Sequence, residues 1–264
     1  MAISTLFISH GGGPLPLLGD RRHEGLIHNM REAAEIIEKP DAIIVVSAHW
    51  EEKLFKITSS LNPELIYDYY GFPEESYQIK YPVQGNPQLA QTLHQQLTEN
   101  NLASELDANR GLDHGVFVPL KIMFPNADIP CLQISINTNL SPAEHIKLGE
   151  VLSELHDHNI LVLGSGFSFH NMQAFYAPAT GNNKILNEQF DRWLNATCTG
   201  KYDGNEINRQ DLLENWEKAP GARFAHPREE HLLPLHVCYG CQKRPAIKSL
   251  QCDVFGYKTS SFVW

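Results

Sequence analysis

Short apolar runs rich in Val and Ile, each closed by polar or turn-forming residues, recur along the chain. Residues 3–8, 42–46, 54–58, 129–136 and 160–163 are such runs, and short apolar runs between turn signals read as buried strands. The segments between them space their apolar residues three and four apart, which predicts helices at about 25–38, 87–98 and 141–156. Ser141 with Glu144 forms a capping box with Pro142 at the first helical position, a well-marked helix start. Residues 183–194 and 211–216 also read as helices, and 246–254 and 260–264 as two further strands at a sheet edge. Strands alternating with helices predict an α/β fold, with a central, largely parallel mixed sheet flanked by helices on both faces. No linker rich in Gly, Ser or Pro, no charge block and no repeat divides the chain, so residues 1–264 are expected to form one domain.

Composition narrows the function classes. With 264 residues, 42% hydrophobic and 20% charged, the chain has the make-up of an ordinary globular enzyme, and at this length roughly 70–75% of the unfolded surface is buried on folding. The formal net charge is -10, which repels phosphate backbones and argues against nucleic-acid partners but not against a small substrate. No apolar run approaches the roughly 18 residues of a membrane span, and the first residues lack the basic start and long apolar stretch of a secretion signal. Five cysteines without dense spacing do not make a disulfide scaffold. A cytoplasmic setting without a membrane is expected, with the oligomeric state left open.

Histidine is the unusual residue, 13 against 21 Lys and Arg together. His10 closes the first strand and precedes Gly11-Gly12-Gly13-Pro14, and His49 closes the second in Val45-Val46-Ser47-Ala48-His49. Both lie at carboxyl ends of expected parallel strands, where open α/β sheets bind ligands. His114 lies in a turn leading into a helix, His170 follows a strand and the turn Gly164-Ser165-Gly166, and His226 and His231 flank Pro227-Arg228-Glu229-Glu230. A single strand-end histidine is more often a hydrogen-bonding residue than a ligand, but several delivered to one rim point to a metal site for zinc, iron or copper. His23, His28, His94, His145, His156 and His158 sit among polar residues and read as solvated surface positions, while His236 reads as a packing residue. The glycine run lacks the lysine of a phosphate loop, Gly166-Phe167-Ser168-Phe169-His170 lacks the last glycine of a nucleophile elbow, and Cys238-Tyr239-Gly240-Cys241 is a lone pair of cysteines.

The segments His10-Gly11-Gly12-Gly13-Pro14, Pro40 through Trp50, Tyr67-Asp68-Tyr69-Tyr70-Gly71-Phe72-Pro73, Leu112-Asp113-His114-Gly115, His170-Asn171 and Glu230-His231-Leu232-Leu233-Pro234-Leu235 run in order along the chain. Together they resemble the class III extradiol ring-cleavage dioxygenases of the 4,5-DOPA dioxygenase type, in the superfamily of the protocatechuate 4,5-dioxygenase catalytic subunit. The resemblance implies a divalent metal, Fe(II) for activity with Zn(II) as the other candidate, held by His10, His49 and His231. Adjacent Glu229 and Glu230 keep a carboxylate third ligand open, and His226 is the weaker alternative. It also implies acid–base roles for His114 and His170, with His170 as a fourth ligand the other reading.

The chemistry joins these parts. Triplet oxygen reacts slowly with a closed-shell catechol, and a redox-active metal on three protein ligands leaves positions for both. Imidazoles suit the removal and return of the substrate's protons. The expected reaction inserts both atoms of O2 into a small, DOPA-like catechol and yields a ring-opened muconic semialdehyde. Two rivals use the same histidines: a member of the superfamily that binds metal or peptide without catalysis, and a zinc hydrolase. At least one of Asp113, beside His114, and Asn171, beside His170, is expected to orient a catalytic ring, with Asn171, Trp50 and Tyr67 as pocket candidates.

Overall fold

The computed structural model describes residues 4–155, 159–201 and 209–264. Eight strands form one sheet: β1 (Ser4–Ser9), β2 (Ala42–Glu52), β3 (Phe55–Thr58), β4 (Ser104–Asp107), β5 (Cys131–Asn137), β6 (Ile160–Gly166), β7 (Lys248–Val254) and β8 (Tyr257–Val263). Their order across the sheet is β4-β3-β5-β2-β6-β1-β8-β7. The middle four, β5-β2-β6-β1, pair in parallel. The β3–β4 pair and the β8–β7 hairpin join this block on opposite sides through antiparallel contacts. The helices are α1 (Glu24–Ile36), α2 (Pro87–Glu99), α3 (His114–Met123), α4 (Pro142–Ser153), α5 (Met172–Phe175), α6 (Gly181–Thr199), α7 (Arg209–Glu214), α8 (Ala222–Ala225) and α9 (Leu233–Gln242).

The central strands are apolar almost throughout because both faces are covered, as parallel sheets require. Successive side chains alternate sides: Leu6, Ile8, Ile43 and Val45 pack with Leu26, Met30 and Phe117 of α1 and α3. Ile44, Val46 and Val162 pack on the other face with Leu93 of α2, Leu148 of α4 and Val237 of α9. Phe7 and Phe262 extend that face under α6 and α9, with Phe190, Leu194 and Leu235. Half of the expected capping box opens α4: Ser141 Oγ accepts the Glu144 N–H at 3.4 Å, but the Ser141 N–H goes to Asn139 Oδ1 at 3.0 Å rather than to the Glu144 carboxylate. Among the described residues no helix is long and apolar enough to cross a membrane.

Parallel pairing brings the carboxyl ends of β1, β2 and β6 to one rim. There the His10 N–H donates to the Gly166 carbonyl at 2.9 Å, continuing the ladder one residue beyond β1. The pairing of β2 with β5 slips between Val46 and Glu51. Such irregularities re-aim side chains beside active sites, and His49 lies inside this one. Gly166 is needed for the next layer: a Cβ there would stand 2.1 Å from the His231 carbonyl. The bare backbone lets that carbonyl come close enough to accept the Phe167 N–H at 3.0 Å, which fixes the turn before α9 against the sheet.

Candidate metal centre

His10 from the end of β1, His49 from the irregular stretch of β2 and His231 from the turn before α9 meet at the rim. His49 Nε2 stands 3.0 Å from His10 Nε2 and 3.3 Å from His231 Nε2. The facing nitrogens are lone pairs rather than donors, because the other nitrogen of each outer ring is committed. Ser165 Oγ donates to the Gly115 carbonyl and therefore accepts from His10 Nδ1–H at 3.0 Å. The Glu230 carboxylate, able only to accept, takes His231 Nδ1–H at 2.9 Å. An Asp68 oxygen faces His49 Nδ1 at 3.7 Å.

Three inward lone pairs repel one another unless a cation lies between them. Two imidazole nitrogens on one ion, each about 2.1 Å away at angles of about 90–110°, stand about 3.0–3.4 Å apart, and the observed spacings fall in that range. The donor set therefore fits a divalent metal on three imidazoles. Burial, then the charges of His231 and His114, hold the His10 pKa well below the usual imidazole range. Burial, then His114 and His10, do the same for His49, and burial with His170 lowers His231 to about 3. The three rings are neutral at neutral pH, the form that binds metals.

Two more imidazoles flank the three. The His114 ring lies 3.9 Å from that of His49 and 5.6 Å from that of His10. The His170 ring stacks on His231, centroids 3.4 Å apart and 19° between planes. His10 is 1% exposed, whereas the side chains of His49, Asp68 and His170 keep 23%, 22% and 20%. That difference puts the open side of the centre at His49, Asp68 and His170, with the His114 side chain behind it at 7%.

The groups that orient these rings differ from those expected. His114 Nδ1 bonds Asp68 Oδ1 at 2.8 Å, and His170 Nδ1 lies 3.2 Å from Glu230 Oε1. Asp113, although it precedes His114, turns away and is fully buried. It accepts from Ser47 Oγ at 2.8 Å, from Gln133 Nε2 and from Arg110 Nη2 at 3.3 Å. Ser47 Oγ in turn accepts the His49 amide at 3.2 Å, so Asp113 anchors the backbone of His49 instead. Burial, then the charge of Asp68, raises the Asp113 pKa. For Glu230, burial acts upward but the hydrogen bonds of His170 and His231 outweigh it, leaving the carboxyl below its usual range.

Asn171 caps α5 by accepting the Ala174 N–H at 3.0 Å and donates to the Phe224 carbonyl at 2.7 Å. Tyr67 OH donates to the Ile79 carbonyl. Trp50 donates to Glu52 and lies under Arg110, apart from the imidazoles. His226 is buried between Phe190 and Trp216 with Nε2 on the Ser168 carbonyl, and Glu229 binds Arg223 at 2.7 Å.

Other buried partners carry no obvious sequence signal. Pro119 inside α3 has no N–H for the Gly115 carbonyl four residues earlier. That free carbonyl is the one Ser165 uses, so an irregularity in a helix sets the tautomer of His10. His23 and His145, expected on the surface, are fully buried. They serve backbone instead: His23 Nε2 accepts the Gly12 N–H at 3.1 Å and His145 Nε2 the Asn137 N–H at 3.1 Å. His156 and His158 lie outside the described residues.

Residues 4–262 match the family of the catalytic LigB subunit of aromatic ring-opening dioxygenase. The chain belongs to that family. The dioxygenase tasH of Hapsidospora irregularis is 39% identical over 277 residues, covering 98% of this chain and 85% of that protein. The 4,5-DOPA dioxygenase extradiol of Beta vulgaris is 37% identical, covering 89% and 85%. A crystal structure of an uncharacterized Escherichia coli K12 protein superposes with a TM-score of 0.78 at 26% identity, covering 99% of both chains. The chain is an extradiol, aromatic ring-opening dioxygenase of this metal-dependent family, an oxidoreductase acting on a small aromatic substrate.

Proposed function

We propose that the protein opens the ring of a small, DOPA-like catechol with O2, using Fe(II) held by Nε2 of His10, His49 and His231. The observation that carries this reading is the convergence of three Nε2 lone pairs 3.0 and 3.3 Å apart, with two further imidazoles flanking them. When bound, the metal supplies the redox chemistry that lets triplet oxygen react with a catechol, which zinc on the same ligands does not supply. The chain's own groups do the rest. His114, its Nδ1–H given to Asp68, has Nε2 left to take a proton from a substrate hydroxyl. His170, with Nδ1–H at Glu230, has Nε2 left to take up a second proton and hand it back when the ring opens. Positioned acids and bases of this kind contribute about 10²–10⁴-fold each. The relatives named as 4,5-DOPA dioxygenases support the choice of a catechol bearing an amino-acid side chain.

Oxygen uptake over a panel of catechols tests this, with protein loaded anaerobically with Fe(II) or with Zn(II) and metal per chain measured. Uptake matched one to one by a yellow ring-opened product, with Fe(II) only, is the expected result. Full metal occupancy without uptake on any catechol would overturn the reading, and ester or amide hydrolysis by the zinc form would favour the hydrolase.

A further inference from the structure

Asp68 lies in a stretch without helix or strand, yet it is held on both sides. The Ile66 N–H donates to the Leu112 carbonyl at 2.8 Å, and the Leu112 N–H to the Glu64 carbonyl at 2.8 Å. Tyr67 OH and Tyr69 OH bind the Ile79 and Ser76 carbonyls at 2.6 and 2.7 Å. The Tyr69 ring stands edge-on to His114, centroids 5.8 Å apart. The carboxylate is thus presented by a braced segment.

Its two oxygens do different work. Oδ1 accepts twice from one residue, the His114 backbone N–H at 2.9 Å and the ring Nδ1–H at 2.8 Å. The backbone bond satisfies one of the donors that the first turn of α3 leaves free, where a negative charge is favourable. Oδ2 reaches only 3.7 Å from His49 Nδ1, beyond hydrogen-bond distance. The same carboxylate therefore grips the imidazole beside the centre and only faces the one that points into it. Glu230 has the reverse emphasis, 2.9 Å to His231 and 3.2 Å to His170.

We infer that Asp68 is a positioning residue for ring opening: it holds His114 in the Nδ1–H tautomer, so that the Nε2 lone pair is available to the substrate hydroxyl. The inference rests on the function proposed above for His114. A neutral imidazole without a fixed partner divides its proton between both nitrogens, and the Nε2–H form cannot accept. Where the carboxylate behind a catalytic histidine has been replaced in a serine protease, the wrong tautomer lowered turnover about 10⁴-fold.

The experiment compares wild type with Asp68→Ala, which removes the acceptor, and Asp68→Asn, which keeps an acceptor oxygen without charge. In Zn(II)-loaded, 15N-histidine-labelled protein, long-range 1H–15N correlations report the His114 tautomer without any turnover. Wild type should show Nδ1–H and Asp68→Ala a substantial Nε2–H share, with Asp68→Asn between. In Fe(II)-loaded protein, kcat should fall about 10²-fold or more in Asp68→Ala while KM stays within about threefold, and Asp68→Asn should recover part of the loss. Metal affinity by chelator competition should change little. An unchanged tautomer in the variant able to fold overturns the inference, as does a loss of metal as steep as that of His49→Ala, which would make Asp68 a support for the ligand. If wild type itself consumes no oxygen with any catechol, the proposed function fails, while the tautomer measurement still decides what Asp68 does.

Discussion

Two sets of buried imidazoles in this molecule look alike by burial and differ in where their nitrogens point. His145 is complete as a neutral ring: Nδ1–H donates to the Ser141 carbonyl at 2.7 Å and Nε2 accepts the Asn137 N–H at 3.1 Å. His23 is likewise occupied, by the Gly12 N–H and the Asp20 carboxylate. His10 and His231 are nearly as enclosed and His49 keeps 23% of its side chain exposed, yet each of the three reserves one nitrogen for the others. Burial of a histidine is therefore poor evidence of chemistry. A lone pair aimed at another lone pair is good evidence, because nothing inside the fold repays it.

The sharpest way to break this contrast is to remove the flanking rings. His114→Ala and His170→Ala should keep metal and lose ring opening by about 10²–10⁴-fold, measured as metal per chain alongside product absorbance. His170 is the more exposed case, since it stacks on His231. If His170→Ala sheds metal as readily as His49→Ala, His170 belongs with the inward set and His114 alone remains as acid–base group. Parent-rate turnover in both variants would remove the proposed mechanism altogether.

A smaller effect should separate the carboxylates. Glu230 grips the inward ring of His231 and is itself tied through Arg228, 3.4 Å away, to Glu51 two residues beyond His49. Second partners of metal-binding histidines typically change affinity about 10–100-fold. Glu230→Gln should therefore weaken metal binding by about that factor in chelator competition, whereas Asp68→Ala should not. Equal losses in the two variants would mean that both carboxylates serve the ligands.

What could be read from the residues and what could not divides along the same physical line. β2, β5 and β6 are legible because strands buried on both faces are continuous apolar runs. β4, whose sequence is Ser104-Glu105-Leu106-Asp107, is a half-exposed edge strand and has no such run. The full extents of α3 and α9 were hidden because both are buried nearly all round and carry Pro119 or Gly240, so no amphipathic stripe marks them. His10 and His49 were legible because strand ends deliver them, whereas His231, in the turn before α9, was marked by the family resemblance. Their orienting groups were not: Asp68 arrives from a loop without period, and Ser165 acts only because Pro119 leaves a carbonyl free. Adjacency misled at Asp113, since neighbours at a helix start project in different directions, and polar neighbours misled at His23 and His145, whose rings cap backbone donors inside the fold.

The smallest expected effect tests the other side of the comparison, that His145 is a structural ring with no spare nitrogen. Burial lowers its pKa from 6.5 to about 4, because a second proton would face the Asn137 N–H with no acceptor. The folded value lies below the unfolded one, so the contribution is fully present above about pH 6.5 and is lost as pH falls toward 4: the unfolded chain takes up a proton that the folded chain refuses. Between pH 7.5 and 5.5 this linkage removes on the order of 1 kcal/mol. Urea unfolding of the metal-free protein at both pH values, for wild type and His145→Gln, isolates it, since other titrating groups contribute equally to the two proteins. Wild type should lose on the order of 1 kcal/mol more than the variant over that interval. If the two lose the same, the ring is not held neutral by its backbone partners, and the distinction between occupied and inward-facing histidines fails at His145.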